Sequence, residues 1–262
     1  MKLVFKFAVM AAIFIGLWQL LSRYPFVEKL GIRKFTEKKQ VQLGNLMLKA
    51  HRSERQEVTD TAIVNPLKEL RNRLCLANGI DTAKVHVYLF RDEEINAFAI
   101  PGGNIIINSG LVGYCENADM LAGVMAHEIG HVQMDHVSKK LIKEIGLSAV
   151  IMLAGGDVNN SIMEKIFHSL TSSKFDREQE KEADALSVRY LQQAQGDPYQ
   201  MALFFRKLSQ QTDAPEFLDW ISTHPGLEER AVAIEKTFIQ LPGSRVPLLT
   251  LVQWNALKKA DK

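Results

Sequence analysis

Two histidines four residues apart, with a glutamate beside the first, form the stretch His127-Glu128-Ile129-Gly130-His131. On an α-helix the two imidazoles face the same side, so their ring nitrogens can take two corners of a tetrahedral zinc site. The Glu128 carboxylate can then reach a water in the open position and act as a general base. This HExxH pattern is the arrangement that a zinc hydrolase needs. The alternative is a pair of hydrogen-bonded core histidines beside a salt-bridged glutamate.

The flanking sequence predicts that the HExxH stretch lies on a buried helix. Asn117 is a suitable N-cap, and apolar side chains such as Leu121, Val124 and Ile129 follow it at helical spacing. Buried polar groups need partners, and a metal ion would satisfy both imidazoles and the carboxylate. The context therefore favours the metal site.

A catalytic zinc also needs a third protein ligand and a vacant position. The longer pattern HExxHxxGxxH does not apply, because position 137 is a valine and His136 is one residue out of register. In the charged segment 175–184, Glu180 and Asp184 share one face of a predicted helix. We expect Glu180 to be the third ligand and Asp184 to accept the free ring N–H of a ligand histidine. Taken alone, such a charge run is more typical of a solvated, salt-bridged helix.

Further segments resemble the M48 peptidases, and most closely their short Oma1/BepA-like branch. The stretch Asn96-Ala97-Phe98-Ala99-Ile100-Pro101-Gly102-Gly103 resembles the NAFxxPGG segment of that family, and residues 180–184 resemble its ExxxD motif. The resemblance extends over roughly residues 45–240. It implies a zincin-like metallopeptidase domain with one zinc ion per chain, a catalytic Glu128, and metal ligands at His127, His131 and Glu180.

Residues 84–108 predict a small β-sheet beside the HExxH helix. Short β-rich runs at 95–100 and 104–108 are separated by Pro101-Gly102-Gly103. An edge strand can pair with an extended peptide through main-chain hydrogen bonds. We therefore expect a polypeptide substrate in extended conformation to bind at Asn96, Ala97, Phe98, Gly102 and Gly103. An ordinary hairpin with a glycine turn has the same pattern.

A His-Pro pair in the segment 222–230 marks a second polar site. Pro225 favours an extended conformation at His224, which predicts a loop position ahead of the next helix. The segment resembles the HPxxxxR element of the Oma1/BepA-like branch, which implies that His224 lies near the metal as a gating ligand or a transition-state donor. A lone loop histidine is otherwise a surface residue, and Arg230 is interpreted as a structural ion-pair partner. No chemistry is assigned to His51, His86, His136 and His168.

The N-terminus begins with Lys2 and Lys6 and continues into an uncharged apolar run, residues 7–21. This pattern is typical of a signal peptide or a short membrane anchor. An A-x-A-like cleavage site is missing, which favours an uncleaved anchor. We predict that the catalytic domain lies on the periplasmic or extracytoplasmic side of the membrane, with secretion after signal cleavage as the alternative.

The predicted organisation is an anchor or signal segment (1–22), a linker with the start of the first helix (23–44), a peptidase domain (45–240) and a C-terminal tail (241–262). A net charge of +2 is too small to indicate nucleic acid as a partner. Cys75 and Cys115 could pair or remain buried free thiols. The oligomeric state is not predicted.

The sequence predicts a mainly helical α+β fold. Helices are expected at 36–56, 65–77, 117–136, 138–154, 159–171, 177–194, 198–211, 226–239 and 252–259. The resemblance implies hydrolysis of unfolded or misfolded envelope or membrane-associated proteins, in protein quality control. The alternative function is a chaperone-like or inactive module that binds polypeptides in the same cleft.

Overall fold

The computed structural model describes residues 37–146, 149–150, 153, 160–210, 218–237 and 245–261. Helices dominate these ranges and surround one four-stranded sheet, which confirms the mainly helical α+β fold. In the described ranges no helix is both long and apolar enough to cross a bilayer. The predicted anchor or signal segment, 1–22, and most of the predicted linker lie outside the described residues.

The helices and strands are numbered in chain order. They are α1 Glu37–Glu54, β1 Gln56–Glu57, α2 Thr61–Ala77, β2 His86–Arg91, β3 Ala97–Ile100, β4 Asn104–Asn108, α3 Ser109–Tyr114, α4 Ala118–Gln133, α5 His136–Ile145, α6 Asn160–Ser172, α7 Arg177–Gln193, α8 Tyr199–Ser209, α9 Leu218–Thr223, α10 Leu227–Thr237 and α11 Leu251–Leu257. Short 3₁₀ turns lie at Thr82–Lys84 and Lys258–Asp261.

Most helix boundaries lie within a few residues of the predicted ones, but α5 differs. The prediction continued this helix from 138 to 154, whereas α5 begins at His136 and ends at Ile145. The next residue, Gly146, has φ 79°, a left-handed conformation that favours glycine and terminates the helix. The two-residue strand β1 and the short helix α9 were not predicted, because neither is long enough to show a periodic pattern.

The sheet has the strand order β1-β2-β4-β3, so β3 lies at an edge. Strands β2 and β4 are parallel, and β3 runs antiparallel to β4 with Ala97 opposite Ile107 and Ala99 opposite Ile105. The turn between β3 and β4 contains Gly102 and Gly103, whose φ angles are 80° and 75°. Helix α4 packs against β3, so the edge strand lies beside the predicted HExxH helix as expected.

Helix α4 lies at the centre of the domain, packed between α7, α8 and the sheet. The Asn117 side chain accepts a hydrogen bond from the Met120 N–H at 2.9 Å, so the predicted N-cap is confirmed. A Cβ at Gly130 would lie 3.2 Å from Ala183 Cα, so the glycine allows α7 to approach closely. This close approach brings the charged face of α7 to the HExxH residues.

Cys75 and Cys115 are both buried free thiols in the part of the chain that the structure describes. Burial raises the pKa of Cys75 to about 11 and that of Cys115 to about 12. Neither side chain is therefore a thiolate at neutral pH. The sequence left open either a disulfide between Cys75 and Cys115 or two buried free thiols, and in the structure both cysteines are free.

Candidate metal centre

Four side chains from three segments converge on one point among the described residues. They are His127 and His131 on α4, Glu180 on α7, and His224 in the loop after α9. Their ligand atoms all lie within 4.8 Å of one another, and each side chain is at most 2% exposed. His127 Nε2 lies 3.0 Å from His131 Nε2, and Glu180 Oε1 lies 3.4 Å from the same atom of His131. Such a cluster can bind a metal ion.

The division of α7 into two faces places Glu180 in this cluster. Glu180 and Asp184, one turn apart, are buried against α4, whereas Glu178 and Lys181 are exposed and form an ion pair of 2.7 Å. At the start of the helix the Gln179 side chain accepts a hydrogen bond from the Asp176 N–H at 3.0 Å. The charge run is therefore buried on one side and solvated on the other.

The protonation state of the cluster suits a metal ion. Burial lowers the pKa of His131 well below its usual value and that of His224 to about 4. Both rings are therefore neutral, which is the form of imidazole that ligates metals. Burial opposes the ionised form of Glu180, but the neighbouring His224, His131 and Arg230 hold its pKa below the usual range. Neutral imidazoles with one carboxylate are a donor set typical of zinc.

Asp184 and Arg230 lie directly behind the cluster. Asp184 Oδ1 is 3.0 Å from His127 Nδ1, within hydrogen-bonding distance of the ring nitrogen that faces away from the other ligands. Arg230 donates to both oxygens of Asp184, at 2.7 and 2.8 Å, and also pairs with Glu180. Although burial acts in the opposite direction, Arg230 and His127 lower the pKa of Asp184. Arg230 is thus an ion-pair partner of two carboxylates at once.

Sequence reasoning missed His136, to which it assigned no chemistry. The ring is fully buried, with Nδ1 3.0 Å from His131 Nδ1 and Nε2 2.9 Å from Glu182 Oε2. When His131 presents Nε2 to the cluster, its Nδ1–H donates to His136, whose Nε2–H then donates to Glu182. The two hydrogen bonds fix the tautomer of His131. The only signal in the sequence is a histidine just beyond the end of α4.

Glu128 lies beside the cluster and is fully buried. Its Oε2 accepts a hydrogen bond of 2.9 Å from the Ala99 N–H of β3. Among the described residues Oε1 has no hydrogen-bond partner, and His224 Nε2 lies 3.8 Å from it. Burial raises the pKa of Glu128 to about 7. The carboxyl group therefore has one oxygen anchored to the sheet and one available for chemistry.

The other predicted substrate residues lie along the edge strand and its turn. Asn96 and Ala97 are buried and Phe98 is half-buried. The left-handed Gly102 and Gly103 have a packing role, because a Cβ at Gly103 would collide with the Lys84 carbonyl oxygen. The Ala99 N–H points away from β4 toward Glu128, so the outer edge of β3 borders the metal cluster. Substrate binding by these residues remains a prediction.

The HExxH helix, the adjoining edge strand and the buried donor cluster together define a domain of the metalloprotease class. A family model, Peptidase family M48, matches residues 65–238, more than half of the chain. The chain therefore belongs to peptidase family M48, and the predicted resemblance is confirmed.

Relatives at the level of whole sequences agree with this assignment. The chain is 31% identical to the beta-barrel assembly-enhancing protease of Escherichia coli (strain K12), over 73% of this chain and 42% of that protein. It is 30% identical to metalloprotease LoiP of the same strain, over 67% of this chain and 74% of LoiP. It is 27% identical to mitochondrial metalloendopeptidase OMA1 of Schizosaccharomyces pombe, over 63% of this chain and 50% of that protein. The chain thus spans less than half the length of the assembly-enhancing protease.

Proposed function

We propose that this protein is a zinc-dependent endopeptidase that cleaves unfolded or misfolded polypeptides. The observation that carries the proposal is the position of Glu128, a buried carboxyl group between the outer edge of β3 and the cluster of His127, His131 and Glu180. A structural metal site needs no such group, because it has no water to deprotonate. This feature argues against a module that only binds polypeptides.

Each residue of the site has a separate part in the proposed reaction. His127, His131 and Glu180 would hold the metal, and Asp184 and His136 would orient the two imidazoles. A bound zinc ion supplies Lewis-acid polarisation of the scissile carbonyl and an acidified water. Glu128, anchored through Oε2 to the Ala99 N–H, takes the proton of the attacking water on Oε1 and delivers it to the leaving amine.

The edge strand supports an extended, unfolded substrate. The Ala99 N–H already donates to Glu128, but the other outward-facing main-chain groups of β3 can pair with a peptide that is free of its own secondary structure. The names of the relatives refer to beta-barrel assembly and to mitochondria, which fits membrane-associated substrates in protein quality control. We further propose membrane attachment through the N-terminal segment, with the catalytic domain on the periplasmic or extracytoplasmic side.

The proposed function predicts that the purified protein contains one zinc per chain and cleaves casein, an unfolded protein. Removal of the metal with a chelator should abolish cleavage, and added zinc should restore it, because the two histidines and Glu180 remain in place. Metal analysis measures the zinc content, and gel electrophoresis of the digest measures casein cleavage. Casein that binds tightly to the zinc-loaded protein without being cleaved would instead support the polypeptide-binding alternative.

The geometry also supports a gating role for His224. Its Nδ1 lies 3.0 Å from Glu180 Oε1 and 3.4 Å from His127 Nε2, and its ring stacks on Trp220 with centroids 4.3 Å apart. A fourth protein ligand in this position would occupy the place of the water that a hydrolase needs. We propose that His224 closes the site at rest and that displacement of its loop opens it.

Replacement of His224 by alanine is expected to raise basal casein cleavage and self-cleavage, because it removes the closing side chain. Initial rates on casein and the appearance of self-cleavage fragments measure this, with the exposed His86→Ala as the matched control. A fall in turnover of roughly 10²–10³-fold at unchanged zinc content would instead assign His224 to stabilisation of the transition state. Rates equal to those of the control variant on both substrates would reject both roles.

A further inference from the structure

A cavity of about 580 Å³ lies apart from the clustered metal donors, between the end of α1, the open end of the β3–β4 pair and α6. Its lining includes His51 from α1, Asn96, Phe98 and Asn108 from the sheet, and Phe167 from α6. These elements are far apart in sequence, and no motif joins them. We call this space the α1–α6 cavity.

One face of the sheet supplies the floor of the α1–α6 cavity. Asn108 donates its N–H to the Asn96 carbonyl at 3.1 Å, which continues the antiparallel register of β3 and β4 by one residue pair. Directly opposed residues lie on the same face, and so do alternate residues of one strand. Asn96, Phe98 and Asn108 therefore face the same side. Phe90, the β2 partner of Asn108, extends this face.

His51 forms an aromatic wall of the same cavity. Its ring stacks on Phe167 with centroids 4.8 Å apart and meets Phe90 edge-on at 4.4 Å. The side chain is 7% exposed, and neither ring nitrogen has a hydrogen-bond partner in the described ranges. Burial lowers the pKa of His51 to about 4, so the ring is neutral and offers one donor and one acceptor.

Two buried asparagines on the floor also have unsatisfied oxygens. Asn96 and Asn108 are 4% and 2% exposed, and in the part of the chain described neither Oδ1 accepts a hydrogen bond. An unsatisfied buried polar atom costs free energy, so three side chains in this state around one cavity make it a candidate binding site. The unsatisfied atoms are thus two amide oxygens, which accept, and the His51 ring, which offers one acceptor and one donor. A group with several N–H donors can satisfy all three acceptors.

The charge of the rim favours a cation. The described lining carries four carboxylates and two basic groups, which are Glu54, Asp92, Glu94, Glu164, Arg55 and Lys165. Four negative and two positive charges leave a formal net charge of −2, so the rim is acidic. The faces of Phe98 and Phe167 are suitable surfaces for an ammonium or guanidinium group. An organic cation fits the cavity better than a metal ion, because the two phenyl rings offer a metal ion no lone pair.

The α1–α6 cavity is connected to the candidate active site through β3. The Ala99 N–H points outward to Glu128, so a peptide added to the outer edge of β3 would pass beside that carboxyl group. The side chains of an added strand alternate between the two faces of the sheet. Every second side chain of such a peptide therefore lies on the face that carries Asn96 and Phe98.

We propose that the α1–α6 cavity is a specificity subsite for a lysine or arginine side chain of a peptide bound along β3. The proposal rests on the proposed function, which it deepens by naming a preferred substrate residue. A guanidinium or ammonium group supplies donors to Asn96, Asn108 and His51 and has no acceptor that would be left unsatisfied. The acidic rim, including Glu164 on α6, attracts such a group.

The test measures binding without cleavage, in the full-length, zinc-loaded Glu128→Gln variant. The probes are short unstructured fluorescent peptides in which one arginine is moved along the sequence, each matched by a peptide with norleucine at the same position. Fluorescence anisotropy should show an arginine preference of roughly 10–100-fold at one position, as expected for buried hydrogen bonds to a charged group. Casein cleavage sites of the active protein should share a basic residue at the corresponding position.

Two variants of the cavity make the test specific. Asn108→Leu should remove most of the arginine preference and leave the protein as stable or more so, because it removes an acceptor that is unsatisfied in the free protein. If Asn108 had a merely structural role, its replacement by leucine would instead lower the melting temperature of the protein. Glu164→Lys should also reduce the preference, whereas Glu69→Lys, the same charge change on the exposed face of α2, should not.

The possible results separate the two proposals. Equal binding of arginine and norleucine peptides at every position, or a preference for another residue type, overturns the subsite but leaves the peptidase in place. An arginine preference that survives both Asn108→Leu and Glu164→Lys would place the arginine side chain outside the α1–α6 cavity. That result would also overturn the subsite. Failure of all peptides to bind overturns recognition along β3 and with it the subsite, whereas the peptidase is tested separately by zinc content and casein cleavage.

Discussion

Replacing Glu128 with glutamine is expected to reduce casein cleavage by roughly 10²–10⁴-fold while the zinc content remains normal. Glutamine has nearly the same shape, and its amide oxygen can still accept the hydrogen bond from the Ala99 N–H. The two clustered histidines of α4 keep their positions, because Glu128 is not one of the four clustered donors. The variant therefore loses only the capacity of Oε1 to take and return a proton.

Steady-state kinetics on a fluorogenic peptide, together with metal analysis of the same preparation, measure this effect. Glu178→Gln is the matched control, because Glu178 is an exposed glutamate of α7 whose side chain pairs with Lys181. Full activity of Glu128→Gln, in a preparation freed of contaminating proteases, would exclude Glu128 as the general base. Loss of zinc from Glu128→Gln would mean that this residue belongs to the ligand set.

The parts of the site that are encoded by spacing within a helix were predictable. His127 and His131 are four residues apart on α4, as are Glu180 and Asp184 on α7, and four residues is close to one helical turn. The capped and apolar sequence around the first pair predicted its burial. The sequence could not show that α7 packs on α4, because that contact depends on the space left by Gly130. Only the resemblance to M48 peptidases predicted that Glu180 on α7 lies next to the two histidines of α4.

Contacts between distant segments were not predictable from local patterns. His136 follows a turn in which Asp135 adopts a left-handed conformation with φ 54°, and this turn directs the ring back toward His131. The α1–α6 cavity joins Asn96 and Phe98 of the NAFxxPGG segment to residues of α1 and α6, and no pattern in the sequence connects that segment to either helix. His51 has the same surroundings in the sequence as any amphipathic helix residue. Its role depends on three phenylalanines that only the fold brings together.

Arg230 is a further residue whose contacts with distant segments do not follow from local sequence patterns. Its position after the His-Pro pair indicated an ion pair, and the structure has one. No local pattern indicates that one guanidinium pairs with both Asp184 and Glu180. Two buried carboxylates repel each other, and a cation that contacts both offsets this repulsion. Arg230 therefore stabilises the arrangement of Asp184 and Glu180 on one face of α7.

Replacing Glu180 with alanine is expected to empty the metal site and to abolish cleavage. Glu180 is the only carboxylate in the described donor cluster, and its loss leaves neutral imidazoles to hold a dication. The fall in zinc affinity should exceed the roughly 10–100-fold expected for Asp184→Ala, which removes no clustered donor but does remove the carboxylate next to His127 Nδ1 and a partner of Arg230. Competition with a chromophoric zinc chelator measures both variants on one scale.

Two neighbouring glutamates of α7 provide the controls for Glu180→Ala. Glu178→Ala should bind zinc like the wild type, because its side chain is exposed. Glu182→Ala should retain zinc with at most a small loss of affinity, because Glu182 contacts the centre only through His136 and is half exposed. Circular dichroism of the metal-free proteins separates loss of a ligand from loss of the fold, since Arg230 keeps Asp184 as a partner in Glu180→Ala. An empty site in folded Glu178→Ala, with zinc retained in Glu180→Ala, would mean that the other face of α7 carries the ligand and that the assignment is wrong.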